Sequence, residues 1–188
     1  GRVVANGGLS YEEACRKLES EEIVHGMPDW SPLRKDWAGL YGCTMNIRRA
    51  AVVAEPFDER LPLYAIGEDT EIGFRLRRFG RIGGSARCII IHLAASSGRV
   101  TEKGVGYAQI INFIYYAHKG IGFPFWPTYY ERLVRVPLAN LLFTCFPKRD
   151  KSTNCDRRGR LLGNCIAFRD LLLGRVQPER LLKVLGKA

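Results

Sequence analysis

Long apolar runs are missing from this chain. A helix that crosses a bilayer needs roughly 18 or more consecutive apolar residues. No stretch of the 188 residues reaches that length. The longest candidate, residues 136–146, is too short and carries a proline near its start. The sequence therefore predicts no membrane-spanning helix within these residues.

Close cysteine pairs are missing as well. The six cysteines include no Cys-x-x-Cys pair, and the evenly spaced Cys145, Cys155 and Cys165 have no close Cys or His beside them. A structural zinc site normally uses such close pairs. We therefore expect reduced thiols in a cytosolic compartment, where disulfides rarely form.

Acidic residues are scarce relative to basic ones. The chain has 19 Asp and Glu against 29 Lys and Arg, for a formal net charge of +10. A hydrophobic content of 46% with 26% charged residues is typical of a globular protein and excludes a disordered one. The positive charge suits an anionic membrane surface or nucleic acid as a partner. One reading is therefore a basic, non-catalytic binding module.

The dense basic patch lies in residues 148–160, as Lys148-Arg149-x-Lys151 and Arg157-Arg158-x-Arg160. No RNA- or DNA-binding motif accompanies it, so we expect no specific nucleic-acid partner. Beside an aromatic, helical region the patch suits an anionic membrane surface. A solvated loop explains the same residues.

A starting methionine and a signal-peptide pattern are also absent. Residues 1–5 read as a strand entered part-way through a domain. We expect the chain to be a piece of a longer protein.

Local patterns predict the elements of residues 1–100. A strand and turn come first, then a helix that starts at Tyr11 with a capping box from Ser10 and Glu13. Residues 39–47 read as a mostly apolar strand and residues 48–54 as a short helix. A further helix opens at Glu68 or Asp69, and the apolar residues 86–91 form a buried strand that ends at His92.

Residues 101–188 read as helical. Two aromatic-rich helices are predicted on either side of a break at residues 120–127. Asn164 is expected to cap a helix that stops near Gly174, and Pro178 to open the last one.

The acidic helix start, Glu68-Asp69-Thr70-Glu71, bears most directly on chemistry. A carboxylate at a helix N-terminus can lie at the edge of a cleft and accept a proton from a substrate hydroxyl. Acidic residues are also common there simply because they interact favourably with the helix dipole, by a few tenths to about 1 kcal/mol. The surrounding motifs favour the first reading.

Those motifs occur in a specific order. Gly42-x-x-Met45-Asn46-Ile47-Arg48-Arg49 comes first, then Phe57-Asp58-Glu59-x-Leu61, Glu68-Asp69-Thr70-Glu71-Ile72 with Arg75-Leu76-Arg77-Arg78-x-Gly80, the strand ending at His92, and Ser96-Ser97-Gly98-Arg99. This order resembles the C-terminal half of a family 2 glycosyltransferase domain of the inverting GT-A type.

The resemblance implies an α/β fold. Residues 1–100 would be the acceptor and catalytic-base half of a partial, Rossmann-like GT-A domain that lacks its N-terminal nucleotide-binding half. Residues 101–188 would be an aromatic and basic α-helical extension.

The resemblance also implies a reaction and its residues. The donor is a nucleotide-diphosphate sugar and the acceptor a glycan or a lipid-linked hydroxyl. Asp69 is the general base, supported by Glu68, while Met45 and Asn46 line the acceptor side. Ser97, Gly98 and Arg99 would bind the diphosphate, and His92 would lie near a divalent metal, Mg²⁺ or Mn²⁺. Asp58 either contacts substrate or pins the loop before the catalytic helix.

Two family features are lacking. No Asp-x-Asp motif, through which the family binds the donor's metal, occurs in the chain. We therefore expect most of the metal and donor site to lie outside this sequence and the chain alone to be inactive. No Gln-x-x-Arg-Trp follows the base, which favours one transfer per encounter over polymer formation. The expected location is cytoplasmic, with peripheral attachment to the inner face of a membrane.

Overall fold

The computed structural model describes residues 2–6, 10–20, 31–32, 40, 42–63, 65–84, 89–93, 100–121, 125–146 and 155–187. Helices predominate in this part of the chain. They are α1 (Tyr11–Ser20), α2 (Arg49–Ala54), α3 (Glu68–Leu76), α4 (Glu102–His118), α5 (Phe125–Tyr130), α6 (Val136–Cys145), α7 (Arg157–Leu172) and α8 (Leu181–Val184). Short 3₁₀ turns follow α3 (Arg77–Phe79) and precede α8 (Pro178–Arg180), and a π-helical turn, Glu131–Arg135, joins α5 to α6.

Within the part of the chain that the structure describes, strands are few and pair only two by two. β1 (Arg2–Asn6) lies parallel to β4 (Ile89–His92), with Arg2 opposite Ile89 and Asn6 opposite His92. β2 (Ser31–Pro32) lies antiparallel to β3 (Gly83–Gly84). No larger sheet forms among the described residues. The predicted α/β, Rossmann-like GT-A fold class is therefore wrong, since that class requires a multi-stranded parallel sheet.

The predicted strand at residues 39–47 shows why the fold prediction failed. Gly42–Thr44 form a turn, and residues 45–48 are irregular. The apolar side chains of Leu40 and Ile47 pack instead against a helical cluster of Ala51, Ile72 and Leu76. Burial against helices α2 and α3 replaces burial within a sheet, and a short apolar run does not distinguish the two.

The chain divides into two compact units, which are described separately. The first contains Gly1–Phe57 and Asp69–Ser97, and the second contains Asp58–Glu68 and Gly98–Ala188. In the first unit, α2 and α3 bury the cluster just named. Ile72 in the middle of α3 and Leu76 at its end belong to that cluster, so the cluster holds α3 against α2.

The second unit is built around α4, which is buried along most of its length. Tyr107, Ile110, Ile111, Ile114 and Tyr116 have no solvent-exposed surface. Helix α7 crosses α4 at very close range, because a Cβ added at Gly163 would lie 2.1 Å from the Lys103 carbonyl oxygen.

A second glycine, on α4, also lies at this helix crossing. A Cβ added at Gly106 would lie 2.1 Å from the Arg160 carbonyl oxygen. The two glycines therefore allow backbone-to-backbone packing of α4 on α7, which side chains of any size would prevent.

Two boundaries predicted from the sequence are confirmed by the structure, and one is wrong. The capping box of α1 is confirmed, because the Ser10 backbone N–H donates to the Glu13 carboxylate at 2.8 Å. His92 does end β4. The predicted start of α7 at Asn164 is wrong, since the helix begins at Arg157 and Asp156 caps it by accepting the Gly159 N–H at 3.0 Å.

The error at α7 has a physical cause. Asn164 is fully buried in mid-helix, where its Nδ2 donates to the Gly106 carbonyl at 2.7 Å. Its Oδ1 accepts from Asn140 Nδ2 at 2.8 Å. Local sequence predicts a helix cap at an asparagine, because its side chain can bond to nearby backbone groups. Here the Asn164 side-chain amide is satisfied by tertiary hydrogen bonds instead.

Candidate functional site

The Asp69 carboxylate lies in the first turn of α3 and accepts three hydrogen bonds, one from Gly42 and two from Thr70. Its Oδ2 accepts the backbone N–H of Gly42 at 3.1 Å. Its Oδ1 accepts the Thr70 N–H at 2.7 Å and the Thr70 hydroxyl at 3.3 Å. The helix dipole favours negative charge at this position. Asp69 is therefore an oriented, partly exposed carboxylate.

The same hydrogen bond brings two sequence motifs together. Gly42 opens the segment that continues to Met45 and Asn46, and it contacts Asp69 directly. Both belong to the first unit. Each carboxylate oxygen has about two lone-pair positions, and Oδ2 accepts a single hydrogen bond from the described residues. A hydroxyl proton donor can therefore be accommodated at Oδ2.

Helix α3 is anchored by a buried ion pair. Arg75 donates to both carboxylate oxygens of Glu71 at 2.8 Å, in a bidentate arrangement. It also reaches Glu55, at the end of α2, at 2.7 Å. Glu71 is 1% exposed. Burial opposes the charge of Arg75, but its hydrogen bonds to Glu71 and Glu55 outweigh it and raise the pKa of the guanidinium.

The role of Glu71 was not predicted from the sequence. Glu71 and Arg75 are spaced i, i+4, the spacing at which a helix places an acid beside a base. That signal was present in the motif. The ion pair with Arg75 indicates that Glu71 holds α3 against α2. Of the motif's carboxylates in the first unit, Asp69 is then the candidate for chemistry.

A cavity of about 260 Å³ also lies in the first unit. Asn46 and Arg48 line it on one side, and Gly80 and Arg81 on the other. Its amide and guanidinium groups suit hydroxyl or anionic groups of a ligand. Asp69 is not among its lining residues. Asn46 is four residues from Gly42, so it lies within about 14 Å of the Asp69 contact.

The remaining predicted site residues are placed as follows. Met45 is partly buried, and the Asn46 side chain donates to the Thr44 carbonyl at 3.3 Å. Ser97, Gly98 and Arg99 lie outside the described residues, so their predicted contact with a diphosphate stays a prediction.

Glu68 and Asp58 belong to the second unit. The Asp58 carboxylate accepts the Tyr115 hydroxyl and the Lys119 ammonium, each at 2.7 Å. Burial opposes its charge, but hydrogen bonds from Lys119, Tyr115 and the Arg60 amide outweigh that effect and lower the pKa of Asp58. These contacts tie the segment before α3 to α4. They correspond to the loop-pinning alternative for Asp58.

His92 ends β4 and is partly buried. Within the described part of the chain, no group of three or more His, Cys, Asp or Glu is placed to hold a metal ion. These residues therefore do not fit a complete metal site, and we derive no step through a metal. The expectation of Mg²⁺ or Mn²⁺ at the diphosphate stays a prediction.

Among the residues described, no helix has the length and apolar character to cross a membrane. Comparisons of the chain with protein-family models, with curated proteins and with solved structures find no match.

Proposed function

We propose that this chain takes part in inverting glycosyl transfer and supplies the base that activates the acceptor. The donor is a nucleotide-diphosphate sugar, and the acceptor hydroxyl belongs to a glycan or a lipid-linked sugar. Asp69 is the general base. The resemblance to family 2 glycosyltransferases motivates the class of reaction, without the GT-A fold.

One observation carries the proposal. The hydrogen bond from Gly42 to Asp69 joins the segment expected to line the acceptor side to the carboxylate expected to act as base. A general base must lie within hydrogen-bond reach of the proton it removes. This hydrogen bond holds the Asp69 carboxylate beside the segment expected to line the acceptor side. An acceptor hydroxyl bound at that segment would therefore lie near the proposed base.

In the proposed step, the acceptor hydroxyl displaces the nucleoside diphosphate from the donor sugar, and no oxidant or reductant is needed. The acceptor oxygen bonds to the anomeric carbon while the bond from that carbon to the diphosphate breaks. The nucleoside diphosphate leaves with the bonding electron pair, and Asp69 takes the acceptor proton. Attack opposite the leaving group inverts the anomeric configuration.

The proposed location is the cytoplasm, with peripheral attachment to the inner face of a membrane. Nucleotide sugars and a lipid-linked acceptor would meet there. The cavity at Asn46 and Arg48 is the proposed place for the part of the acceptor beyond the reacting sugar. Glu68, one residue before the base, is proposed to support it.

The test is a transfer assay with the chain expressed together with any sequence that its gene encodes on either side. Labelled UDP- and GDP-sugars are supplied with membranes that contain glycan and lipid-linked acceptors. We expect labelled product with an inverted anomeric configuration, read from proton coupling in the nuclear magnetic resonance spectrum. Retention of configuration, or no transfer from any donor, contradicts the proposal.

Residues 1–188 alone serve as the comparison. They contain no Asp-x-Asp motif. We expect them to show no saturable binding of a UDP- or GDP-sugar by titration calorimetry. Saturable binding would place the donor site within residues 1–188 and contradict the expectation that it lies mostly outside them.

A further inference from the structure

The cavity of the first unit combines an apolar lining with basic side chains. Its volume is about 260 Å³. Pockets that take drug-sized ligands measure roughly 300–1,000 Å³, so this one has room for about one ring-sized group. Its apolar lining residues are Leu40, Ile47, Ala51, Leu76, Phe79 and Ile82. The first four of these also belong to the cluster that packs α2 against α3, so the lining is continuous with the core of this unit.

The guanidinium groups of Arg48 and Arg81 line the same cavity, together with the amide of Asn46. Both arginines are exposed. No Asp or Glu occurs among the described residues that line the cavity. Within the part of the chain that the structure describes, the Arg48 guanidinium has neither an ion pair nor a hydrogen bond. Its N–H donors are therefore available to a ligand.

The carboxylates at the end of α2 and inside α3 are paired with other arginines. Glu55 binds Arg75 at 2.7 Å and also forms an ion pair with Arg78. Glu71 binds Arg75 at 2.8 Å. Neither carboxylate lines the cavity. The positive charge of Arg48 is therefore not taken up by these acidic groups of the first unit.

We infer that this cavity binds an anionic sugar, with the ring on the apolar lining and its carboxylate or phosphate at Arg48. The planar fork of an arginine matches the oxygens of either group. Phe79 is 39% exposed and adds apolar surface against which the C–H groups of a sugar ring can pack. The negative charge follows from Arg48, whereas the choice of a sugar rests on the proposed function.

The position of the cavity relative to Asp69 deepens that function. Asp69 and Leu76 lie seven residues apart on α3, which is about 10 Å along the helix axis. A group bound beside Leu76 is therefore a part of the acceptor other than the hydroxyl that reacts. The acceptor class becomes a glycan that carries a carboxylate or phosphate close to the reacting sugar.

Nuclear magnetic resonance titration of the full chain with glucuronate, glucose 6-phosphate and glucose tests the inference. The three probes share one ring and differ in its exocyclic group. We expect at least one anionic sugar to bind about tenfold or more tighter than glucose. The tighter of the two identifies carboxylate or phosphate as the group bound. The largest amide shifts are expected within residues 46–51 and 76–83. Equal binding of all three probes, no binding, or shifts confined to other residues overturns the inference.

Arg48→Gln tests the basic side chain itself. We expect the preference for the anionic sugar over glucose to fall to about twofold or less, since the amide keeps a polar group but loses the charge. The matched control is Arg49→Gln, at an exposed arginine that does not line the cavity. We expect it to bind the anionic sugar within about twofold of wild type. Equal losses in both variants would reflect net charge alone and overturn the site.

Binding is measured without a donor and without turnover, which separates this inference from the reaction proposed for Asp69. An anionic sugar that binds in the cavity, in a chain that transfers no sugar, would support the site and contradict the reaction. Glycosyl transfer by a chain that binds anionic sugars no better than glucose would support the reaction and overturn the site. The shift map of the wild-type chain needs no variant, so it decides the question even if Arg48→Gln fails to fold.

Discussion

The backbone N–H of Gly42 donates a 3.1 Å hydrogen bond to the carboxylate of Asp69, 27 residues later in the chain. This contact joins an irregular segment to the first turn of a helix. It orients the carboxylate without any help from substrate. A base that is oriented in advance loses less freedom when the acceptor binds.

The first prediction concerns Glu71, which anchors the helix that carries Asp69. Glu71→Gln keeps the shape of the side chain but removes a buried charge that faces Arg75. Breaking a buried ion pair typically lowers the free energy of unfolding by 3 to 5 kcal/mol. We expect about 2 to 3 kcal/mol, because Arg75 keeps Glu55 as a partner. Urea unfolding followed by circular dichroism measures it.

Glu12→Gln is the control for that variant. Glu12 is an exposed residue in the first turn of α1. We expect its free energy of unfolding to stay within about 0.5 kcal/mol of wild type. If Glu71→Gln were equally mild, the ion pair would not be what holds α3 in place.

The second prediction concerns the crossing of α4 and α7. Alanine in place of a mid-helix glycine ordinarily stabilises a helix by about 1 kcal/mol. Gly163→Ala should do the opposite, because the new Cβ would lie 2.1 Å from the Lys103 carbonyl oxygen. We expect a net destabilisation of about 1 to 3 kcal/mol, seen as a lower urea midpoint.

Cys165→Ala, on the exposed side of the same helix, controls for helix propensity. It should leave the urea midpoint unchanged or raise it slightly, since alanine is the better helix former. A stabilising Gly163→Ala would show that the two backbones do not approach as closely as described.

The third prediction is a dependence on pH through Asp170. This carboxylate is fully buried and accepts Tyr107 Oη at 3.0 Å and Arg180 Nε at 2.9 Å. Burial opposes its charge, but the hydrogen bonds from Arg180 and Tyr107 outweigh it and lower the pKa of Asp170. The unfolded chain then takes up a proton at higher pH than the folded one, near the ordinary value of about 3.9.

The stabilisation from Asp170 is therefore complete above that ordinary value and is lost as pH falls through the lower, folded pKa. Asp170→Asn should lower the free energy of unfolding by about 3 kcal/mol at neutral pH. The difference from wild type should shrink in acid below about pH 4. Urea titrations across that range measure it, and a difference that does not vary with pH would contradict the assignment.

The sequence predicted local features of the fold better than its class. The capping box at Ser10 and Glu13 and the helix opening at Glu68 follow from short-range chemistry, and both are present. The fold class depended on the apolar segment 39–47, and an apolar run of that length packs equally well into a sheet or onto helices. Only tertiary structure decides between them.

Local sequence also limits what could be predicted of the contacts at the candidate site. Motif order suggested Asp69 and the segment at Met45 and Asn46 as candidates, but not the hydrogen bond from Gly42 to Asp69, whose partners lie 27 residues apart. The spacing of Glu71 and Arg75 could have indicated their ion pair. The partners of Asp58, Tyr115 and Lys119, lie far along the chain and carry no local signal.

The most direct test of the account is Asp69→Asn, in the chain expressed with any sequence its gene encodes on either side. The amide keeps the shape of the carboxylate but cannot take up the acceptor proton. We expect glycosyl transfer to fall by at least about 100-fold, the usual contribution of a general base, while donor binding and the urea midpoint stay close to wild type. Turnover that survives within about tenfold of wild type would show that Asp69 is not the base.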